Sequence, residues 1–149
     1  MIEIFVNSIS KKNDEFDLTI KDFIKMSSKF AKIHDNVFFN SQIAKSQSDK
    51  ISAIKAYDEV FLNKKDGFCV ALDADGKNLD SFEFAKILDK NKISFFIGGA
   101  FGLSQNFKQS CDYIVSLSRL TFSHKIAKLM LFEQIFRGLC INANHPYHK

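Results

Sequence analysis

Short apolar runs alternate with helical-period segments along the whole chain, and this alternation constrains the fold more than any other feature. Ile2–Ser8 (IEIFVNS), Gly67–Asp73 (GFCVALD), Lys92–Gly99 (KISFFIGG) and Asp112–Ser118 (DYIVSLS) are rich in β-branched and aromatic residues and read as strands. Asn36–Gln42 (NVFFNSQ) reads as a further short strand, and the turn DADGK closes the strand that starts at Gly67. Between them lie helices. Asp14–Lys32 places Phe16, Ile20, Phe23, Ile24 and Phe30 close to helical spacing, and Ser48–Lys64 does the same with Ile51, Ile54, Tyr57 or Asp58, and Phe61. Asp80 followed three residues later by Glu83 marks a capped helix start. Ser104–Ser110 is a short helix and Ser123–Ile141 a long one. The expectation is an α/β fold, a mostly parallel sheet with helices on both faces, in one domain over 1–149.

Charge and cysteine content limit the function classes. The net charge of +4 permits a nucleic acid partner without demanding one. Almost all of the positive charge is lysine, so Arg119 and Arg137 are the only residues able to make a planar, bidentate contact. The start, MIEIFVNSIS, lacks the charge and apolar run of a secretion signal, and no apolar stretch is long enough to cross a membrane. Cys69, Cys111 and Cys140 are odd in number and far apart, which points to a reducing, cytoplasmic setting rather than to disulfides or zinc.

In parallel sheets ligands bind beyond the carboxyl ends of the strands. Three segments fall there: Leu72–Lys77 (LDADGK), Gly98–Ser104 (GGAFGLS) and Leu117–His124 (LSRLTFSH). GGAFG is either a tight turn or a loop that brings backbone to a ligand. It is neither a dinucleotide fingerprint nor a P-loop. The last helix is apolar almost all the way round, with Lys125 and Lys128 as its solvent stripe. A second apolar face asks for a partner, and a symmetric dimer is the commonest one. Glu133 and Arg137 stand at i,i+4 inside an apolar sector. They form either a structural ion pair or an arginine aimed at a substrate. The tail NANHPYHK holds His145 and His148 at a spacing that needs further ligands to bind a metal. His34 reads as a surface loop residue and His124 as a structural one.

The run SLSRLTFSHKIAKLMLFEQIFRG, the tail NANHPYH, the loop IGGAFGLS and the turn LDADGK together resemble the SPOUT methyltransferases. Within them the resemblance is to the small bacterial group that modifies large-subunit ribosomal RNA, the methyltransferase H group. It spans nearly the whole chain and is most specific from Phe68 onward. It implies a C-terminal trefoil knot, which general folding rules disfavour. It also implies a homodimer, S-adenosylmethionine as cofactor, and methyl transfer to N3 of a pseudouridine in a stem-loop of 23S ribosomal RNA on the assembled ribosome. The cofactor residues it implies are Leu72, Asp73, Gly98, Gly99, Gly102, Leu117, Ser118, Arg119, Leu120, Thr121 and Phe122. Arg137, His145, Tyr147 and His148 become the candidates for catalysis, through proton removal, charge stabilisation or stacking.

The chain departs from the group at two places. The glycine loop usually reads I-G-G-P-E-G, where Ala100 and Phe101 stand here, and the tail usually closes H-P-Y-H-R, where Lys149 stands here. A competing reading is therefore a non-catalytic ribosome- or RNA-binding relative whose cofactor loop has decayed. A flavodoxin-like nucleotide binder is a third. The Lys11–Lys12 and Lys64–Lys65 pairs read as solvated charge, with RNA phosphates as the other option.

Overall fold

The computed structural model describes residues 1–11 and 14–149; Lys12 of the Lys11–Lys12 pair lies outside the described residues. Five parallel strands form one sheet in the order β2-β1-β4-β3-β5. They are β1 (Ile2–Ile9), β2 (Ala31–Phe38), β3 (Phe68–Asn78), β4 (Lys92–Ile97) and β5 (Tyr113–Ser116). The helices are α1 (Asp17–Ser27), α2 (Ser41–Lys45), α3 (Lys50–Phe61), α4 (Ser81–Ile87), α5 (Gln105–Ser110) and α6 (His124–Asn142).

Strand alternation sorts the core into two layers. Val70, Ile93, Phe95, Ile97 and Val115 pack on one side against Ile20 of α1, Phe84 and Ile87 of α4, and Leu131, Phe132, Ile135 and Leu139 of α6. Cys69, Ala71 and Phe96 pack on the other against Ile43 of α2, Tyr57 and Phe61 of α3, and Phe107 of α5. Phe61, Phe96 and Phe107 meet there ring to ring, with centroids 4.9 to 5.7 Å apart.

The sequence reading needs four corrections. The first helix stops at Ser27, where Phe30 N bonds back to Ser27 O at 2.8 Å, and the chain enters β2 at once. β2 therefore begins at Ala31 rather than Asn36, and His34 lies within it, its ring stacked on Phe5 at 4.6 Å. DADGK does not end β3: the strand loops out between Leu72 and Lys77 and then resumes pairing with β5 at Val115 and Ser116. Lys128 is not a solvent residue. It is 3% exposed, and its Nζ pairs with Asp35 Oδ1 at 2.8 Å.

Capping sets the helix starts. Asp80 and Glu83 form the reciprocal capping box of α4, and Ser123 accepts from Ile126 N to open α6. α6 lies close on α4, because Gly138 has no side chain: a Cβ there meets Leu88 Cδ1 at 2.7 Å and Ala85 Cα at 3.3 Å. Asn142 Nδ2 then bonds Ala85 O at 2.8 Å. No helix among the described residues is long and apolar enough to cross a membrane.

Candidate active site

The loop within β3 and the carboxyl ends of β4 and β5 open into a cleft of about 540 Å³. Leu72, Asp73, Gly98, Gly99, Gly102, Leu117, Ser118, Leu120, Thr121 and Phe122 all line it. Arg119 does not; it is exposed on the short turn that Ser118 Oγ makes by accepting from Leu120 N at 3.0 Å. The lining also includes Ser116 and Ala127, outside the three strand-end segments, and Ser123 and His124, which lie in the third segment but not among the implied cofactor residues. A signal for them existed: Ser123 is the N-cap of α6, so the first turn of that helix must follow the Leu117–Phe122 loop into the cleft.

The floor of the cleft is glycine backbone. Gly102 N bonds Gly99 O at 3.0 Å and Gly102 holds φ +75°, a conformation that favours glycine. A Cβ on Gly102 meets nothing within 4 Å, so that side of the loop is open space. A Cβ on Gly98 comes within 2.4 Å of Gly102 C, so the two glycines close on each other. Phe101 is not part of the lining; it packs against the layer that holds Tyr57 and Phe96. Asp73 is neutralised by Lys108 at 3.2 Å. His124 is held below its ordinary pKa by burial, and then by the adjacent Lys125.

The tail folds back on α6 and builds a second cluster. Glu133 Oε1 accepts from Arg137 Nη2 at 2.6 Å, Arg137 Nε at 3.0 Å and Tyr147 OH at 3.1 Å. Gln134 Nε2 donates to the other oxygen, Oε2, at 2.7 Å. Arg137 lies 4.8 Å from the Tyr147 ring centroid and donates Nη1–H to His148 Nδ1 at 3.1 Å. A guanidinium has no acceptor, so the His148 ring carries its proton on Nε2. Hydrogen bonding to Glu133 raises the Arg137 pKa, while burial, then the Glu133 hydrogen bond, raises that of Tyr147. His148 is also edge-on to the exposed Phe82 at 4.9 Å.

His145 stands apart from this group. Its backbone N–H reaches Cys140 O at 2.9 Å, its ring is edge-on to Phe30 at 6.2 Å, and its Nδ1 is buried without a hydrogen-bond partner. The structure thus brings together Arg137, Tyr147 and His148, and leaves out His145. Cleft and tail cluster are also separate. Ala127 at the cleft and Arg137 are ten residues apart on one helix, about 15 Å along its axis at ~1.5 Å per residue.

Proteins of similar sequence identify the family. A family model described as predicted SPOUT methyltransferase matches residues 2–148. A protein of Campylobacter hominis named ribosomal RNA large subunit methyltransferase H is 64% identical over 151 residues, covering all of both chains. One of the same name from Nitratiruptor sp. is 52% identical over 153 residues, again covering both chains fully. The solved structure of a probable methylase family protein from Haemophilus influenzae Rd KW20 shares the fold at 13% identity, with a TM-score of 0.56 over 99% of this chain and 70% of that one. On this match and this cleft, the chain belongs to the SPOUT methyltransferase family.

Proposed function

We propose that the chain is a ribosomal RNA large subunit methyltransferase of the H type, a single domain over residues 1–149. In this reading it uses S-adenosylmethionine to methylate N3 of a pseudouridine in a stem-loop of 23S ribosomal RNA, on the assembled ribosome in the cytoplasm. One observation carries the reading: the loop within β3 and the loops after β4 and β5 converge on one cleft, in a chain 64% identical to a protein of that name.

The cleft suits the cofactor. Gly102 leaves open space beside bare backbone, which offers hydrogen bonds without side-chain obstruction. Leu117, Leu120 and Phe122 supply apolar walls for a purine, and Leu120 is 71% exposed although apolar, as expected of a wall waiting for a ligand. Phe101, turned into the core, leaves this surface intact. That favours a working enzyme over a relative with a decayed loop.

S-adenosylmethionine, when bound, supplies an electrophilic methyl group on a sulfonium. The protein's task is to hold the acceptor nitrogen in line with it and to deal with the imide proton. Arg137, fixed by Glu133, stabilises the imide anion. His148 Nδ1 takes the proton once Arg137 turns from it to the substrate. Tyr147 stacks on a base beside the target, and Pro146 stiffens the approach.

These groups sit about 15 Å along α6 from the cleft of their own protomer. The reading therefore places the tail of one protomer at the cleft of its partner, in a homodimer. The exposed apolar residues Phe82, Ile126 and Met130 supply the dimer face. Phe136 and Leu129 of the same helix pack inward instead: Phe136 is 5% exposed and touches Phe23 and Tyr147, and Leu129 lies against the core. The family's trefoil knot belongs to the same proposal.

Titration calorimetry with S-adenosylmethionine, followed by labelled methyl transfer to ribosomes lacking the modification, tests the reading. Binding at about one site per chain together with label in 23S RNA is the expected result. Absence of binding up to millimolar cofactor contradicts it.

A further inference from the structure

The cofactor cleft is not closed on the side of β1. Gly99, Ala100 and His124 also wall a neighbouring hollow of about 580 Å³, whose far side carries Ser10, Lys11, Phe39, Gln47 and Tyr57. Lys11 continues into an outer hollow of about 470 Å³, with Phe38, Lys21, Lys64 and Asp17. A further recess of about 450 Å³ joins the two through Lys11, Phe38 and Phe39. The result is one groove across the carboxyl ends of β4, β1 and β2, about 10 Å wide at ~4.8 Å per strand before its flanking loops are added.

The chemistry of the groove changes along its length. In the outer part, Asp35 is committed to the buried Lys128, which leaves Lys11, Lys21 and Lys64 facing Asp17. All three of those lysines are exposed. Lys11 Nζ stands 5.5 Å from the Phe39 ring centroid and Lys64 Nζ 5.5 Å from that of Phe38. Phe39 is 37% exposed, an open aromatic face among lysines. In the middle part, Tyr57 OH and Ser10 Oγ are buried polar atoms without hydrogen-bond partners. Such atoms ask for a partner. The acids there are engaged: Glu15 pairs with Lys125 at 3.3 Å, and Asp14 Oδ1 accepts from Phe16 N at 2.7 Å.

Lysines for phosphates, an open aromatic for a base, and unpartnered hydroxyls for a base edge are what a single nucleic-acid strand requires. We infer that this groove is the RNA track: a single-stranded segment next to the target nucleotide crosses the ends of β4, β1 and β2. Its phosphates meet Lys11, Lys21 and Lys64, and one base stacks on Phe39. The inference rests on the methyltransferase reading and extends it to substrate contacts outside the cofactor cleft.

Two full-length variants test it, Lys11→Ala/Lys21→Ala/Lys64→Ala and Phe39→Ala, both altering exposed side chains. The first probe is a fluorescein-labelled single-stranded RNA of about 10 nucleotides, titrated at several salt concentrations. Three lost phosphate contacts make the slope of log affinity against log salt shallower by about 2. Phe39→Ala weakens binding about tenfold with the slope unchanged. The second measurement is the KM for ribosomes, which rises about tenfold or more in the triple variant while calorimetric affinity for S-adenosylmethionine stays the same. An unchanged slope overturns the inference, as does failure of the wild type to bind the oligonucleotide at low salt. A raised KM with an unchanged slope overturns it too, and assigns the lysines to a ribosomal protein instead. If the wild type transfers no methyl yet binds the oligonucleotide with the expected slope, the enzyme reading falls and the track stands.

Discussion

The cofactor cleft and the tail cluster carry the two halves of the proposed chemistry, and they are made of different materials. The cleft is mostly backbone: Gly98 and Gly102 close a loop whose open side needs no side chain. The tail cluster is side chain throughout, with one carboxylate, Glu133, holding both Arg137 and Tyr147. A backbone-made site tolerates sequence change so long as the chain path survives, which is why Ala100 and Phe101 sit in the loop without filling the cleft. A side-chain network fails when any one member is cut. The two regions should therefore come apart under mutation.

Deleting Asn144–Lys149 has the largest expected effect. Methyl transfer falls by about 1,000-fold or more, because the positioning and proton-transfer groups go together. Calorimetric affinity for S-adenosylmethionine stays near wild type, because no tail residue lines the cleft of its own protomer and the partner's tail serves the substrate side. Next comes Gly98→Ala, which drives a Cβ to 2.4 Å from Gly102 C. Cofactor affinity drops by about 100-fold, the loss expected when the cleft's backbone is displaced, while far-UV circular dichroism shows the fold retained. Arg137→Lys comes third. It keeps the charge and loses the fork, and kcat falls by about 10- to 100-fold with cofactor affinity unchanged.

The smallest effect concerns pH. Burial holds His124 below its ordinary pKa of 6.5, so the unfolded chain binds its proton more readily than the folded one. Stability therefore falls as pH drops below the ordinary histidine value, and rises again on the neutral side. His124→Gln removes that share of the acid loss, so on going from neutral to acid pH the melting temperature of the wild type falls further than that of the variant. An equal or smaller fall in the wild type contradicts the assignment.

The parts of the fold that were legible in the sequence were those encoded locally. Asp80 with Glu83 announced α4, Ser123 announced α6, and the apolar runs of β1 and β4 showed that both faces are covered. The parts that were hidden depend on distant partners. β2 lies at the sheet edge and is half-exposed along most of its length, so AKIHDNVF reads as neither a helix nor a buried strand. Phe30 prolonged the periodicity of α1 although the chain had already turned at Ser27. Lys128 looks like a solvent residue until Asp35 is brought to it from another strand. At the site, the cleft loops were visible as glycines and turn residues at strand ends. The fold-back of the tail onto Glu133 was not, because Tyr147 and Glu133 meet only through the turn at Asn144, which holds φ 54°.

The central claim is that cleft and tail act together across two protomers, and complementation measures it directly. Gly98→Ala protein, impaired at the cleft, is mixed with protein lacking Asn144–Lys149, unfolded and refolded together to exchange subunits, and assayed for methyl transfer to ribosomes. Each protein alone is nearly inactive. A mixed dimer still pairs one intact cleft with the intact tail of its partner, so the account predicts that activity returns to about a quarter of the wild-type level in an equal mixture. If the mixture stays as inactive as its components while heterodimers are present by mass, the tail does not serve the partner's cleft, and the account is wrong at its centre.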